Sequence, residues 1–259
     1  MKKIRLAIVL VFFTMVFIMI ICRSNSFAQD TTLNTPGALF YQANINYQEG
    51  KYEAAIKNYE RLIDMGWESG NLYYNLGNSY FKEEKLGQAV LSYDKARVFI
   101  PNDSDLKSNY DYVLYTLNLE PQLFGNWFEK LVYRLFEGAT IGALTILLSL
   151  IYIVLILFLT LILFFSRLRR FLVLIVSVLI VLFTFSAYAL NRKISYLHKF
   201  AVVVSNGVDA KFEPLENATV YFKLSEGNRV EIVDKTEGWY KVRRFDNKLA
   251  WVKKDALGN

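Results

Sequence analysis

Side chains that usually carry catalysis are scarce in this chain. The one histidine, His198, lies in Tyr196-Leu197-His198-Lys199, and the one cysteine is Cys22, so neither has a partner of the type its chemistry requires. Zinc takes three or four such ligands, and a nucleophile needs an adjacent base; both are missing their parts. No glycine run precedes a lysine and a serine or threonine, which removes a phosphate-cradling loop. Glu83-Glu84 falls in a turn, where solvation is the natural reading, and the sequon Asn217-Ala218-Thr219 falls where a barrel strand would bury it. What remains is recognition chemistry. Phe40, Asn44 and Tyr47, then Asn71, Tyr74, Asn78 and Phe81, recur at spacings of three and four and so share helix faces. Carboxamides among aromatic rings suit an apolar extended segment or a helix as ligand. The chain is expected to be non-enzymatic, with no catalytic residue, no metal site and no cofactor.

Those faces need helices to hold them. Ala43, Gly50, Tyr52, Ala55, Tyr59 and Leu62 reappear as Gly77, Glu84, Leu86, Ala89, Tyr93 and Ala96, each 34 positions later. This order of small and aromatic residues at that offset resembles the tetratricopeptide repeat (TPR), a helix-turn-helix unit that stacks into a protein-binding groove. The repeats are expected at residues 36–69 and 70–103, with Leu39, Ala43, Ala55, Tyr59 and Leu62 packing in the first. Tyr73, Leu76, Gly77, Tyr80, Ala89, Tyr93 and Ala96 do so in the second, and Pro101 follows it. Two units leave an apolar end open, so a capping helix is expected from Asp103-Ser104-Asp105 through Leu106, Tyr110, Val113, Leu114 and Leu117, closing a TPR domain at 36–119. In the TPR family the Phe40/Asn44/Tyr47 and Asn71/Tyr74/Asn78/Phe81 stripes line the concave groove, and asparagines at positions 44 and 78 hold a peptide backbone. The competing reading leaves both asparagines solvated and the rings under the next helix. Phe40, Tyr41, Tyr74 and Asn75 stand where a carboxylate clamp would place cations.

Hydrophobic residues make up 54% of the 259, a surplus for a soluble chain. It lies in three blocks. Leu6 to Cys22 follows Lys2, Lys3 and Arg5 and precedes Ser26-Phe27-Ala28, so residues 1–28 read as a signal peptide or an uncleaved signal anchor; either exports the segment after it. Residues 138–165 and 171–190 carry no charge, and each can cross the roughly 30 Å hydrocarbon core as a helix. Between them the arginine turn 166–170 holds three arginines, a cytoplasmic signature. Ahead of the first span, residues 120–137 place Leu123, Phe124, Trp127, Phe128, Leu131, Val132, Leu135 and Phe136 at helical spacing, which reads as an interfacial amphipathic helix or an ordinary buried one.

The formal charge of +6 does not point to nucleic acid. Residues 29–136 hold 10 basic and 14 acidic side chains and residues 199–259 hold 11 and 9, so the excess sits at membrane ends. From Ala201 the pattern changes to short strands at Ala201–Val204, Ala218–Phe222, Val230–Val233, Trp239–Val242 and Ala250–Val252. Leu224 to Val233, Gly238-Trp239-Tyr240-Lys241-Val242 and Ala250-Trp251-Val252 resemble the bacterial SH3-like fold, expected at 199–259 with Trp239 in its core.

The fold class read from these features is a multidomain membrane protein: all-α TPR repeats, a two-helix transmembrane hairpin and a small all-β SH3-like barrel. That order, with Asn71-Leu72-Tyr73-Tyr74-Asn75-Leu76-Gly77-Asn78, Pro101-Asn102-Asp103 and the Gly238–Val242 segment, resembles the BatE proteins of the Bacteroides aerotolerance operon. The resemblance implies a bacterial inner-membrane protein with periplasmic TPR and SH3-like domains. Its implied partners are other Bat proteins, among them von Willebrand factor A domain proteins, in aerotolerance or envelope stress. The expected function is a scaffold holding protein partners in the TPR groove; the alternative is an envelope sensor whose SH3-like domain binds peptidoglycan.

Overall fold

The computed structural model describes residues 35–120 and 124–258, with the side chains of Leu197 and His198 excepted. The expected export segment, residues 1–28, and Leu123 of the expected interfacial helix lie outside the described residues. Residues 141–192 form one compact unit, and the described residues on either side of them form another.

Five helices open the second of these units: α1 (Pro36–Gln48), α2 (Tyr52–Asp64), α3 (Gly70–Lys82), α4 (Leu86–Phe99) and α5 (Ser104–Thr116), each packing on the next. The start and stop of alternate helices repeat every 34 residues. Thr35, Ser69 and Asp103 cap α1, α3 and α5, accepting from the backbone N–H of Ala38, Leu72 and Leu106 at 3.3, 3.2 and 2.8 Å. Such caps satisfy donors that the first helical turn leaves open. At the other end Gly50, Glu84 and Asn118 all turn left-handed, with φ of 75°, 59° and 53°. Their successors Lys51, Lys85 and Leu119 close the helices by donating to Asn46, Tyr80 and Leu114 carbonyls at 2.8, 3.0 and 2.9 Å. By this geometry α5 is built as the first helix of a further repeat.

Small residues let the helices approach. At Gly77 a Cβ would stand 2.5 Å from the Tyr93 ring, so only glycine leaves room for it. Ala43, Ala55, Tyr59, Leu62, Leu72 and Leu76 form one core with Ile56, and Tyr73, Ala89, Val90, Tyr93, Ala96, Leu106 and Tyr110 form the heart of the next. A further helix, α6 (Trp127–Phe136), starts with a capping box in which Asn126 and Glu129 satisfy each other's backbone N–H.

In the other unit α7 (Ile141–Phe164) and the apolar stretch of α8 (Arg169–Lys199) are long and apolar enough to cross a membrane. A 3₁₀ turn, Ser166–Leu168, joins them, and Arg167, Arg169 and Arg170 are exposed there. Thr145, Ser149 and Ser177 donate to carbonyls four residues earlier at 2.8–2.9 Å, so these hydroxyls need no water inside an apolar helix.

The chain ends in an antiparallel sheet of β1 (Phe200–Val203), β2 (Val208–Lys211), β3 (Val220–Leu224), β4 (Arg229–Thr236), β5 (Trp239–Arg243), β6 (Leu249–Lys253) and β7 (Leu257–Gly258). The order is β3-β2-β6-β5-β4-β1-β7. Alternate residues fill its core, among them Val203, Leu224, Val230, Tyr240, Val242 and Val252. Trp239 is buried as expected. Strand β3 begins two residues later than the sequence suggests, so the Asn217 sequon sits on a turn with Asn217 exposed.

The sheet docks on the repeats. Val202 of β1 joins the α3–α5 core, and the Gly87 N–H donates to Glu226 Oε1 at 2.7 Å. Beneath this contact Arg229 Nε meets Asp94 Oδ2 at 3.3 Å, both side chains buried, while Arg229 Nη1 donates to the Tyr196 hydroxyl at 3.0 Å. Burial works against the Arg229 charge, but the Asp94 carboxylate together with the Tyr196 and Tyr110 phenols holds the guanidinium well above the usual arginine range. Two guanidinium groups approach the Tyr110 ring, Arg97 Cζ at 4.9 Å and Arg229 Cζ at 5.8 Å from its centre.

Candidate protein-binding site

The asparagines of the expected groove are fixed by a repeating network. Asn44 Oδ1 accepts from the Tyr59 hydroxyl at 2.6 Å and from Asn75 Nδ2 at 3.0 Å. Asn78 Oδ1 accepts from the Tyr93 hydroxyl at 2.7 Å and from Asn109 Nδ2 at 2.9 Å. Each residue of the first set is matched by one of the second 34 positions on. Rings follow the same rule: Phe40 lies against Tyr59 with centroids 5.9 Å apart, and Tyr74 against Tyr93 at 6.1 Å.

Two donors occupy both lone pairs of each carbonyl oxygen, which turns the amide and leaves its NH₂ as the group still able to act. Asn44 and Asn78 are half-buried. An amide so held presents donors to a main-chain carbonyl without first giving up rotamer freedom. The tyrosines stay protonated to do this. Burial, opposed by the Asn75 amide, pushes the Tyr59 phenol up to about 12, and burial raises Tyr93 as well.

Of the other expected residues, Tyr47 and Phe81 are half-buried, the first edge-on to Tyr52 at 5.4 Å and the second edge-on to Tyr112 at 5.7 Å. Asn71 is exposed on the first turn of α3 and takes no part in the network. The aromatic rings therefore pack against rings of neighbouring helices, while the Asn44 and Asn78 amides are half-buried and hydrogen-bonded rather than simply solvated.

Sequence reasoning placed Asn75 only at a clamp position and missed Asn109, Tyr112 and Tyr115. The 34-residue offset could have found them: Asn109 follows Asn75, Tyr112 follows Asn78, and Tyr115 follows Phe81. Asn109, Tyr112 and Tyr115 add a row from α5, where Tyr112 and Tyr115 are exposed, as Tyr41 is on α1.

The comparisons with known proteins fall on these two architectures. Residues 43–84 match the TPR repeat family. Residues 208–258 match the bacterial SH3 domain family. No curated protein matches the chain. Both families are typically binding modules rather than catalysts; the TPR match points to protein partners, and the bacterial SH3 match is compatible with peptidoglycan.

Proposed function

We propose that this protein is a non-enzymatic scaffold of the bacterial inner membrane, holding a protein partner across α1, α3 and α5 on the periplasmic side. The observation that carries the reading is the pair of amide–phenol networks, which orient Asn44 and Asn78 alike at successive repeats. Their NH₂ groups meet main-chain carbonyls of an extended segment, and Tyr41, Tyr112 and Tyr115 supply apolar contact. Residues 36–119 form the repeat domain and 199–259 the SH3-like domain, with spans at 138–165 and 171–190 and the 166–170 turn in the cytoplasm. The likeness to BatE proteins nominates von Willebrand factor A domain proteins of a Bat complex as partners. Co-purification from detergent-solubilised membranes tests this. Asn44→Ala/Asn78→Ala and the surface variant Tyr41→Ala/Tyr115→Ala should each recover at least tenfold less partner than wild type. Equal recovery from all three rejects the site.

A second reading, peptidoglycan binding, is favoured by an exposed aromatic group on the sheet. The Phe212 and Tyr221 ring centres lie 4.4 Å apart with the planes tilted by 32°, Lys248 Nζ is 5.8 Å from the Tyr221 ring centre, and Phe245 is exposed in the β5–β6 turn. This lies at the β3–β2–β6 end of the sheet, away from the docked β1 and β7. Aromatic faces beside cations suit sugars bearing carboxylates. Sedimentation of the full chain with purified sacculi, lost in Phe212→Ala/Tyr221→Ala, supports it; no sedimentation of wild type removes it.

A further inference from the structure

We propose that α6 is a membrane-surface contact, with Trp127, Leu131 and Leu135 seated at the boundary of headgroups and acyl chains. The inference rests on the reading of this chain as a membrane protein, and the two can fail separately.

The three side chains follow one another at intervals of four and form a single stripe, exposed at 76%, 43% and 61%. The opposite flank is held by protein. Val132 is buried, and Arg97 of α4 donates to the Tyr133 hydroxyl at 3.4 Å and to Glu137 Oε1 at 3.1 Å. Asn102 Nδ2 donates to the Gly138 carbonyl at 2.9 Å. The helix is thus fixed in rotation, and the stripe is a built feature of its surface.

Its occupant is indicated by where its carboxyl end stands. Lys193 Nζ donates to the Glu137 carbonyl at 3.3 Å and also to that of Ala139. Lys193 is three residues from Tyr196, where the second apolar stretch ends, and the first apolar helix begins at Ile141, two residues beyond Ala139. Along the chain, only residues 137–140 separate α6 from the first apolar helix. A helix there with tryptophan and leucines on one side and exposed Arg134 beside them has the composition of an interfacial element: ring and aliphatic groups in the acyl boundary, cation among phosphates.

The test uses the full chain, with Cys22→Ser, in vesicles of phosphatidylcholine and phosphatidylglycerol. Single cysteines Leu131→Cys, Leu135→Cys, Leu150→Cys in α7 and Tyr115→Cys in α5 carry nitroxide labels. Spin-relaxation accessibility to oxygen should exceed that to a water-soluble nickel chelate several-fold at 131, 135 and 150, with the order reversed at 115. Water-like labels at 131 and 135 beside a lipid-like 150 overturn this inference and leave the membrane reading intact. A water-like 150 overturns both. Labels at 131 and 135 shielded from both reagents overturn it in favour of a protein covering the helix. Independently of any cysteine, lipid brominated near the carbonyls should quench wild-type tryptophan emission more than that of Trp127→Phe; equal quenching overturns the proposal.

Discussion

Arg229 of the sheet and Asp94 of the second repeat meet at 3.3 Å with side chains only 7% and 6% exposed, so two parts of the chain far apart in sequence share one buried ion pair. Removing Arg229 leaves the buried Asp94 carboxylate with only Arg97, 4.0 Å away, to balance its charge. Arg229→Leu should lower stability by about 3–5 kcal/mol, whereas Asp94→Leu/Arg229→Met should recover most of the loss. Urea unfolding in detergent, followed by circular dichroism, measures both; a single variant as stable as wild type refutes the assignment.

Docking also depends on Gly87. A Cβ there would lie 2.7 Å from the Val203 carbonyl oxygen and 2.9 Å from the Val204 Cα, atoms of the backbone that cannot swing aside. Gly87→Val should part the sheet from α4 and break the hydrogen bond to Glu226. Hydrogen exchange at the Val203 and Val204 amides should quicken at least tenfold, and unchanged protection would contradict the contact.

Glu84 occupies a left-handed turn that Gly50 occupies in the preceding repeat. A residue with a Cβ is strained in that region by about 1–2 kcal/mol, partly offset because glycine loses more freedom on folding. Glu84→Gly should therefore raise stability by about 0.5–1 kcal/mol, seen as a higher thermal midpoint.

Alkaline stability is set by the buried phenols. Tyr59, raised to about 12, stays protonated in the fold while an unfolded tyrosine ionises near 10. The unfolded chain then binds fewer protons, so stability is whole below pH ~10 and falls as pH rises towards the folded value. Tyr73, Tyr80 and Tyr93 are displaced in the same direction by burial and add to the fall. Absorbance at 295 nm should show these phenolates appearing only together with loss of helix, and Tyr59→Phe should lessen the decline.

Much of the architecture was legible because it is written in periodicity. Small and aromatic residues at a 34-residue offset declare the repeats, charge-free runs declare the apolar helices, and alternation declares most strands. Strand β2 escaped notice because Val208-Asp209-Ala210-Lys211 is short and half polar. Asn44 and Asn78 stood out by type, yet their tyrosine and asparagine partners lie on neighbouring helices and become visible only when the offset is carried on to Asn75 and Asn109. The docking of sheet on repeats left no local trace at all, since an aspartate in one helix and an arginine in a distant strand obey no spacing.

Val202 belongs by sequence to one motif and by packing to the other. Its side chain, from β1, completes the interior of α3–α5, so repeats and sheet are expected to melt as one cooperative unit with a single calorimetric endotherm. A fragment cut between the two motifs would expose a hole on one side and an orphaned strand on the other, because the seam between families in the sequence runs through the middle of one folding unit.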